Sequence, residues 1–275
     1  MENTLGEYDP EYAQKTFERA ERIKFDKRYF EKFIVSGNEN LLNKKDRQRM
    51  YLANHLSHMD PALAWLNFHR EGIRMPMIPA GINLDQDFLK NRDLDLGRLG
   101  AYFIDRDLIK KDTPEAIAHK KEVIYTTRKF IKDGLDLLVF PEGGRKNEGE
   151  LFHDYDEGIL RIALNKAKNI DIVPVAFAYD NRVEEKFMPI VRRGNRESQL
   201  GKILYYGADA LSFIVRPIAK AIGCNVGNAY MNIGEPKPLS KITGRFNFSK
   251  DKRVEAVKKF SIEEIGRLYE EIKDR

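Results

Sequence analysis

The sequence predicts an α/β fold: a mixed, largely parallel central sheet flanked by helices, with an N-terminal helical extension over residues 1–50 packed on a main domain over 51–275. Three observations carry that prediction. Largely apolar runs of strand length recur at 135–140 and 170–179, as expected of strands buried on both faces. A helix with complete end signals precedes the first of them: Thr113 stands at the cap, Pro114 in the first turn, and Gly134 stops the helix after Asp133. Strands and helices alternate at this spacing along the middle of the chain, which is the pattern of a layered, mainly parallel sheet.

In chain order, residues 10–50 are dense in Lys, Arg, Glu and Asp, with Tyr12, Phe17, Phe25, Tyr29, Phe30 and Phe33 spread among them. That pattern predicts one or two amphipathic helices. Residues 50–54 read as a short buried strand, and 60–70 as a helix with Leu63, Leu66 and Phe68 on its inward side. Residues 73–80 form a second strand that its prolines confine to an edge, and 83–95 are irregular or partly helical. Residues 97–106 end in an apolar strand that delivers Arg106. The run at 135–140 stops at Pro141-Glu142-Gly143-Gly144-Arg145, where paired glycines let the backbone approach a ligand. A helix over 157–168, a strand over 170–179 carrying Pro174, and a final strand over 226–234 follow. The tail from 249 to 275 is a helix whose Val254, Val257, Ile265, Leu268 and Ile272 make a stripe suited to packing on the core.

Composition narrows the class of protein. Apolar residues at 42% and charged residues at 33% describe a soluble body with a heavily charged surface. A net charge of +5 and a pI near 9.0 favour anionic partners without choosing among them. The single cysteine, Cys224, forbids an internal disulfide and fits a reducing compartment. Residues 1–10 lack the basic start and apolar run of a signal peptide, so export is not expected. The most apolar stretch, 203–224, is interrupted by Asp209, Arg216, Pro217 and Lys220 and makes a poor spanning helix. Two uses remain for it: a helix covered by the rest of the chain, or one lying among lipid headgroups.

The chemistry concentrates in Asn54-His55-Leu56-Ser57-His58-Met59-Asp60-Pro61. A neutral imidazole can take a proton from a hydroxyl, and a carboxylate five residues on can fold back to hold its tautomer. The same residues read structurally as a helix start, with Asp60 as N-cap before Pro61, or Ser57 as the cap. A third reading takes His55, His58 and Asp60 as metal ligands, although His69, His119 and His153 stand in no ligand spacing. In a parallel sheet, ligands collect beyond the carboxyl ends of the strands. The His55 turn, Arg106, the 142–145 loop and Tyr179-Asp180 each follow a predicted strand, so all four point to one rim.

Taken together, these motifs resemble the glycerophosphate acyltransferase superfamily. Its Asn-His-x-Ser-x-x-Asp motif is met by Asn54, His55, Ser57 and Asp60, and its Gly with Phe-Ile-x-Arg by Gly100, Phe103, Ile104 and Arg106. Pro-Glu-Gly-x-Arg is met by Pro141, Glu142, Gly143 and Arg145, and Val-Pro-Val by Val173, Pro174 and Val175. The resemblance implies acyl transfer from an acyl thioester, acyl-CoA or acyl carrier protein, to a phosphorylated glycerol. His55 would be the base, Asp60 its partner, Arg106 and Arg145 the phosphate grips, and Glu142, Gly143 and Gly144 a substrate loop. It implies no metal and no cofactor, no nucleic-acid partner, and a cytoplasmic enzyme with a peripheral hold on the inner membrane face. Gly144, Tyr179-Asp180 and Glu184-Glu185 look like the enzymes that acylate glycerol-3-phosphate or dihydroxyacetone phosphate, whereas Asn54 and Phe103-Ile104-Asp105-Arg106 look like those that acylate 1-acylglycerol-3-phosphate. Two other classes fit fewer of these residues: a metal-dependent hydrolase using His55, His58 and Asp60, and a catalytically silent lipid-binding module.

Overall fold

A computed structural model describes residues 8–42, 47–82, 94–143, 151–152, 154–165, 169–180, 216–217, 220–221, 223, 225–244, 249–273 and 275. Among them, α1 (Pro10–Arg22) opens the chain, with Asp9 accepting from the Tyr12 N–H and Pro10 in the first turn. Its Ala13 and Phe17 are buried, and the Phe17 ring meets Trp65 edge-on at 6.3 Å. The short α2 (Phe25–Tyr29) follows. The helical reading of 10–50 then gives way to a finding that the residue pattern does not announce: β1 (Phe33–Ser36) is a strand at the edge of the central sheet. The helical extension therefore leads directly into the sheet.

The central sheet runs in the order β1, β7 (Ala229–Ile233), β6 (Ile170–Tyr179), β2 (Gln48–Ala53), β5 (Leu137–Val139), with β8 (Lys237–Pro238) also on β6. β2 lies parallel to both β5 and β6, while β7 and β8 are antiparallel to β6. The sheet is thus mixed and mainly parallel around its centre. All ten residues of β6 are buried, which accounts for a sequence that is apolar but for Asp171 near its start. A proline in a central strand needs a reason, and the topology supplies one. Pro174 falls between the two partners of β6, after the β8 pairs at Asp171 and Ile172 and before the β7 pairs that begin at Val175. Only its carbonyl is used there, by the Gly234 N–H at 2.9 Å. Gly234 is required by closeness: a Cβ there would stand 2.7 Å from Pro174 Cγ.

Outside the sheet, β3 (Ile78–Gly81) and β4 (Ala101–Ile104) form a parallel pair, tied to β5 by a bridge between Met77 and Leu137. Pro79 sits in this two-stranded piece, as its edge position allows. The expected helix is found as Pro114–Lys132, with Thr113 accepting from Ala116 N–H. The last helix, Lys250–Glu270, begins at a Ser249 cap and buries Val254, Val257, Ile265 and Leu268 against the sheet. The stripe is therefore core.

Candidate active site

β2, β5 and β6 run parallel, so their carboxyl ends share one rim, and the histidine turn leaves the middle strand, β2. Asn54 fixes the start of that turn. Its side-chain amide donates to the Phe177 carbonyl at 2.9 Å and its Oδ1 accepts from the Phe177 N–H at 2.7 Å. The side chain thereby imitates one more ladder pair with β6.

The helix of the turn, Met59–Arg70, begins two residues earlier than an Asp60 cap would require. Ser57 takes the capping part instead: its Oγ accepts from the Met59 N–H at 3.2 Å and its carbonyl from the Asp60 N–H at 3.1 Å. Asp60 is then free to turn back inside the loop, completely buried. Its Oδ2 receives three donors: His55 Nδ1 at 2.9 Å, the Leu56 N–H at 2.8 Å and the Ser57 N–H at 2.9 Å. Its Oδ1 receives the Tyr179 hydroxyl. With the carboxylate accepting at Nδ1, the neutral imidazole carries its proton there and presents a basic Nε2.

The ring of His55 lies against Phe140, centroids 4.6 Å apart, and remains 16% exposed. Among the described residues, no hydrogen-bond partner occupies Nε2. His58 stands edge-on to that ring at 6.4 Å. Both Asp60 oxygens already accept from protein donors, which takes that carboxylate out of the His55, His58 and Asp60 ligand set. Among the described residues no three His, Cys, Asp or Glu side chains converge on a point.

Glu142 is the largest surprise of the loop. Its Oε2 accepts from the His55 N–H at 2.6 Å and its Oε1 from the Phe152 N–H at 2.8 Å, with the residue only 4% exposed. Burial raises its carboxyl above the usual range, while the two N–H donors oppose that rise. Glu142 therefore clamps the histidine turn to the loop beyond β5. Phe152 delivers its N–H from a φ of 61°, a region that bulky side chains rarely enter, so this loop bears strain of about 1–3 kcal/mol to make the contact.

Arg106 follows β4 and arrives beside the same loop. Asp105 caps its turn, accepting from the Asp107 and Leu108 N–H groups, while the Asp105 N–H donates to His119 Nε2 at 2.9 Å. The guanidinium reaches over Gly143: a Cβ there would lie 3.4 Å from Nη1. Gly143 has φ 68° and no side chain to block the arm. The arginine is exposed and near Asp156, and the crowding around it lowers its pKa without removing its charge.

The sequence-predicted residues thus divide. His55, Asp60, Arg106 and Gly143 meet at one rim; Asn54, Ser57, Pro174 and Glu142 build the frame behind them. Gly144, Arg145, His153, Glu184 and Glu185 lie outside the described residues. A developing oxyanion needs donors, and six backbone N–H groups near the ring are already committed. The N–H groups of His55, Leu56, Ser57, Met59, Asp60 and Gly143 all donate within the turn and loop.

A family model described as Acyltransferase matches residues 32–178, a span that contains β1, the His55 turn, Arg106 and Glu142. The chain belongs to the acyltransferase family. Two curated relatives named glycerol-3-phosphate acyltransferase are each 30% identical to it. The one from Alteromonas mediterranea matches over 197 residues, 70% of this chain, and the one from Baumannia cicadellinicola over 210 residues, 72% of this chain. The chain spans about a fifth of the length of these relatives, 22% of each. Among solved structures, the 1-acyl-sn-glycerophosphate acyltransferase PlsC of Thermotoga maritima aligns with 93% of this chain and 78% of its own, at 17% identity and a TM-score of 0.47.

Within this member of the acyltransferase family, two contacts at the rim escape sequence reasoning. Tyr179 donates to Asp60 from the end of β6, and His119 accepts from the Asp105 N–H beside Arg106. Their partners lie 119 and 14 residues away in the chain, and no local motif marks either pairing.

The stretch 203–224 is described only at its end. There Arg216 is fully buried, its guanidinium 4.5 Å over the Phe30 ring, and Lys220 donates to the Phe30 carbonyl at 2.5 Å. Both basic residues face the chain's own N-terminal segment. Residues 203–215, including Phe213 and Ile214, lie outside the described residues. Among the described residues no helix is long and apolar enough to cross a membrane.

Proposed function

We propose that this chain transfers a fatty acyl group from an acyl thioester to a hydroxyl of glycerol-3-phosphate or 1-acylglycerol-3-phosphate. The observation that carries the reading is the His55 Nδ1 to Asp60 Oδ2 contact of 2.9 Å at the carboxyl end of β2, with Nε2 lacking a hydrogen-bond partner among the described residues. In this reading the acceptor hydroxyl gives its proton to His55 Nε2 as its oxygen attacks the thioester carbonyl. The tetrahedral intermediate collapses, the carbon–sulfur bond breaks, and the imidazolium returns the proton to the departing thiolate. Asp60, buried beside the ring, steadies the imidazolium between those two steps.

Arg106 and Arg145 grip the acceptor phosphate, for which a forked guanidinium is well shaped. The thioester is already activated, so the chemistry calls for no metal. The donor is acyl-CoA or acyl carrier protein, and the acyltransferase unit takes in β1 and β2 together with residues 51–275, leaving the helices before Phe33 as its extension. The site works on the cytoplasmic side, with the positive net charge helping a peripheral hold on anionic lipid.

The test is a product assay on purified protein, offering glycerol-3-phosphate and 1-acylglycerol-3-phosphate, each with palmitoyl-CoA and palmitoyl-acyl carrier protein. Acylated product with at least one pair is expected. No product from any of the four pairs with folded protein overturns the reading.

A further inference from the structure

Behind the histidine turn, the Asp60 carboxylate is held at both of its oxygens, and only one side belongs to the family motif. The Oδ2 side is filled from within the turn by His55, Leu56 and Ser57. On the Oδ1 side the donor is the phenol of Tyr179, the last residue of β6. Asp60 is completely buried, and a buried carboxylate oxygen left without a donor costs several kcal/mol. The phenol is held by more than that bond. Its ring stacks on Phe30, centroids 5.6 Å apart, and Phe30 is itself fully buried under the Arg216 guanidinium at 4.5 Å. Arg216 in turn donates to the Tyr29 and Val226 carbonyls. The tyrosine is thus pinned between the dyad and a platform made by the N-terminal segment.

From this geometry we infer that Tyr179 is a positioning residue for the proposed reaction, a third member of a His55–Asp60–Tyr179 relay. Its hydroxyl fixes the plane of the Asp60 carboxylate and draws negative charge toward Oδ1, away from the imidazole. The platform of Phe30 and Arg216 makes the N-terminal segment part of the catalytic machinery. The inference rests on His55 being the general base, and it adds where the strength of that base is set. Without the phenol, charge gathers on Oδ2, the imidazole holds its proton more tightly, and the acid side of the activity profile moves to higher pH. The carboxylate also gains a rotation that aligns the ring less often, so turnover falls while both substrates bind as before.

The experiment compares wild type, His55→Ala and Tyr179→Phe in acyl transfer, using whichever of the four donor–acceptor pairs above gives product. Tyr179→Phe keeps the ring on Phe30 and removes only the hydroxyl. Its kcat is expected to fall about 10- to 100-fold, the lower part of the range for general-base assistance. Both Michaelis constants should stay within about twofold, because no substrate contact is removed. The acid limb of the kcat/KM profile should move to higher pH, which a merely structural loss would not produce.

A Tyr179→Phe enzyme with wild-type kcat and an unmoved limb, beside an inactive His55→Ala, overturns the relay and leaves the base in place. An active His55→Ala overturns the base, and the relay with it. If Tyr179→Phe does not fold, 3-fluorotyrosine at position 179 supplies a stronger donor. The limb must then move to lower pH, and an unmoved limb overturns the relay.

Discussion

The two ends of the same three strands each carry buried charge, yet only one end is a site. At the carboxyl rim are Asp60, His55 and Glu142; at the amino rim are Arg49, Asp136, Arg74, Arg47 and Asp171. At the amino rim the charges look at one another. Asp136 accepts from the Arg49 N–H at 2.7 Å and faces Arg74 at 3.0 Å, while Arg47 reaches Asp171 at 2.8 Å. Arg74 spends its other donors on the Gly134 and Arg47 carbonyls. At the carboxyl rim the donors also converge, but on one carboxylate whose partner ring leaves Nε2 facing outward. Burial pushes Asp136 up to about 6, so its perturbation is large although it does no chemistry in the proposed reaction. A shifted pKa therefore does not separate a site from a structural ion network. What separates them is a ring nitrogen, His55 Nε2, with no hydrogen-bond partner among the described residues.

The largest effect that breaks this comparison is expected at Asp60. Asp60→Asn should lower kcat by about 10²- to 10⁴-fold, because an amide cannot hold the imidazolium and competes for the wrong tautomer. Steady-state kinetics on the folded variant would check this. Next is Glu142→Ala, which strands the His55 and Phe152 N–H groups in a buried place. A loss of about 2–5 kcal/mol in stability is expected from two unsatisfied donors, read by urea unfolding, together with reduced turnover.

A smaller, substrate-selective effect is expected at Arg106. Arg106→Ala should raise the Michaelis constant for the phosphorylated acceptor and leave that for the thioester nearly unchanged, with Arg106→Lys recovering part. His119→Leu should give a weaker version of the same change, since it removes the acceptor for the Asp105 N–H beside the arginine. His119→Gln, which keeps an acceptor, should restore it.

The smallest effect on activity is expected on the opposite rim. Asp136 holds its proton in the folded protein up to about pH 6, against an ordinary value of 3.8. Between those pH values the unfolded chain has released the proton that the folded chain keeps, so rising pH favours unfolding. The contribution is absent below about pH 4 and costs roughly 3 kcal/mol above about pH 6. Asp136→Asn removes it. The variant's thermal midpoint relative to wild type should rise from pH 4 to pH 7, with acyl transfer unchanged at pH 7.

Much of this molecule was legible because its signals are local. The Thr113, Pro114 and Gly134 punctuation set the bounds of a long helix, and the apolar run of β6 announced a strand buried on both faces. The motif residues His55, Asp60 and Arg106 were named from spacing and reached the rim together. The rest was not legible. β1 is four residues long with each side chain partly covered, too short to show a period of two amid so many charges. Asp60-Pro61 carries the signature of a helix cap, and only the Ser57 hydroxyl, by capping Met59, moves the helix start back and frees the carboxylate. Glu142 reads as a loop acid until the His55 N–H is seen on it. β1 and Glu142 are settled by contacts across the fold, which no neighbouring residue encodes, whereas the helix start is settled locally, by a Ser57 hydroxyl two residues from the N–H it caps.

The most direct test of the central account is acceptor-dependent release of the CoA thiol from palmitoyl-CoA by wild type and by His55→Ala, under equal concentrations of folded protein. The account predicts that the variant loses at least about 100-fold in rate, as expected when a general base is removed, while palmitoyl-CoA binds both proteins alike. A folded His55→Ala protein that releases thiol within a few-fold of the wild-type rate would contradict it.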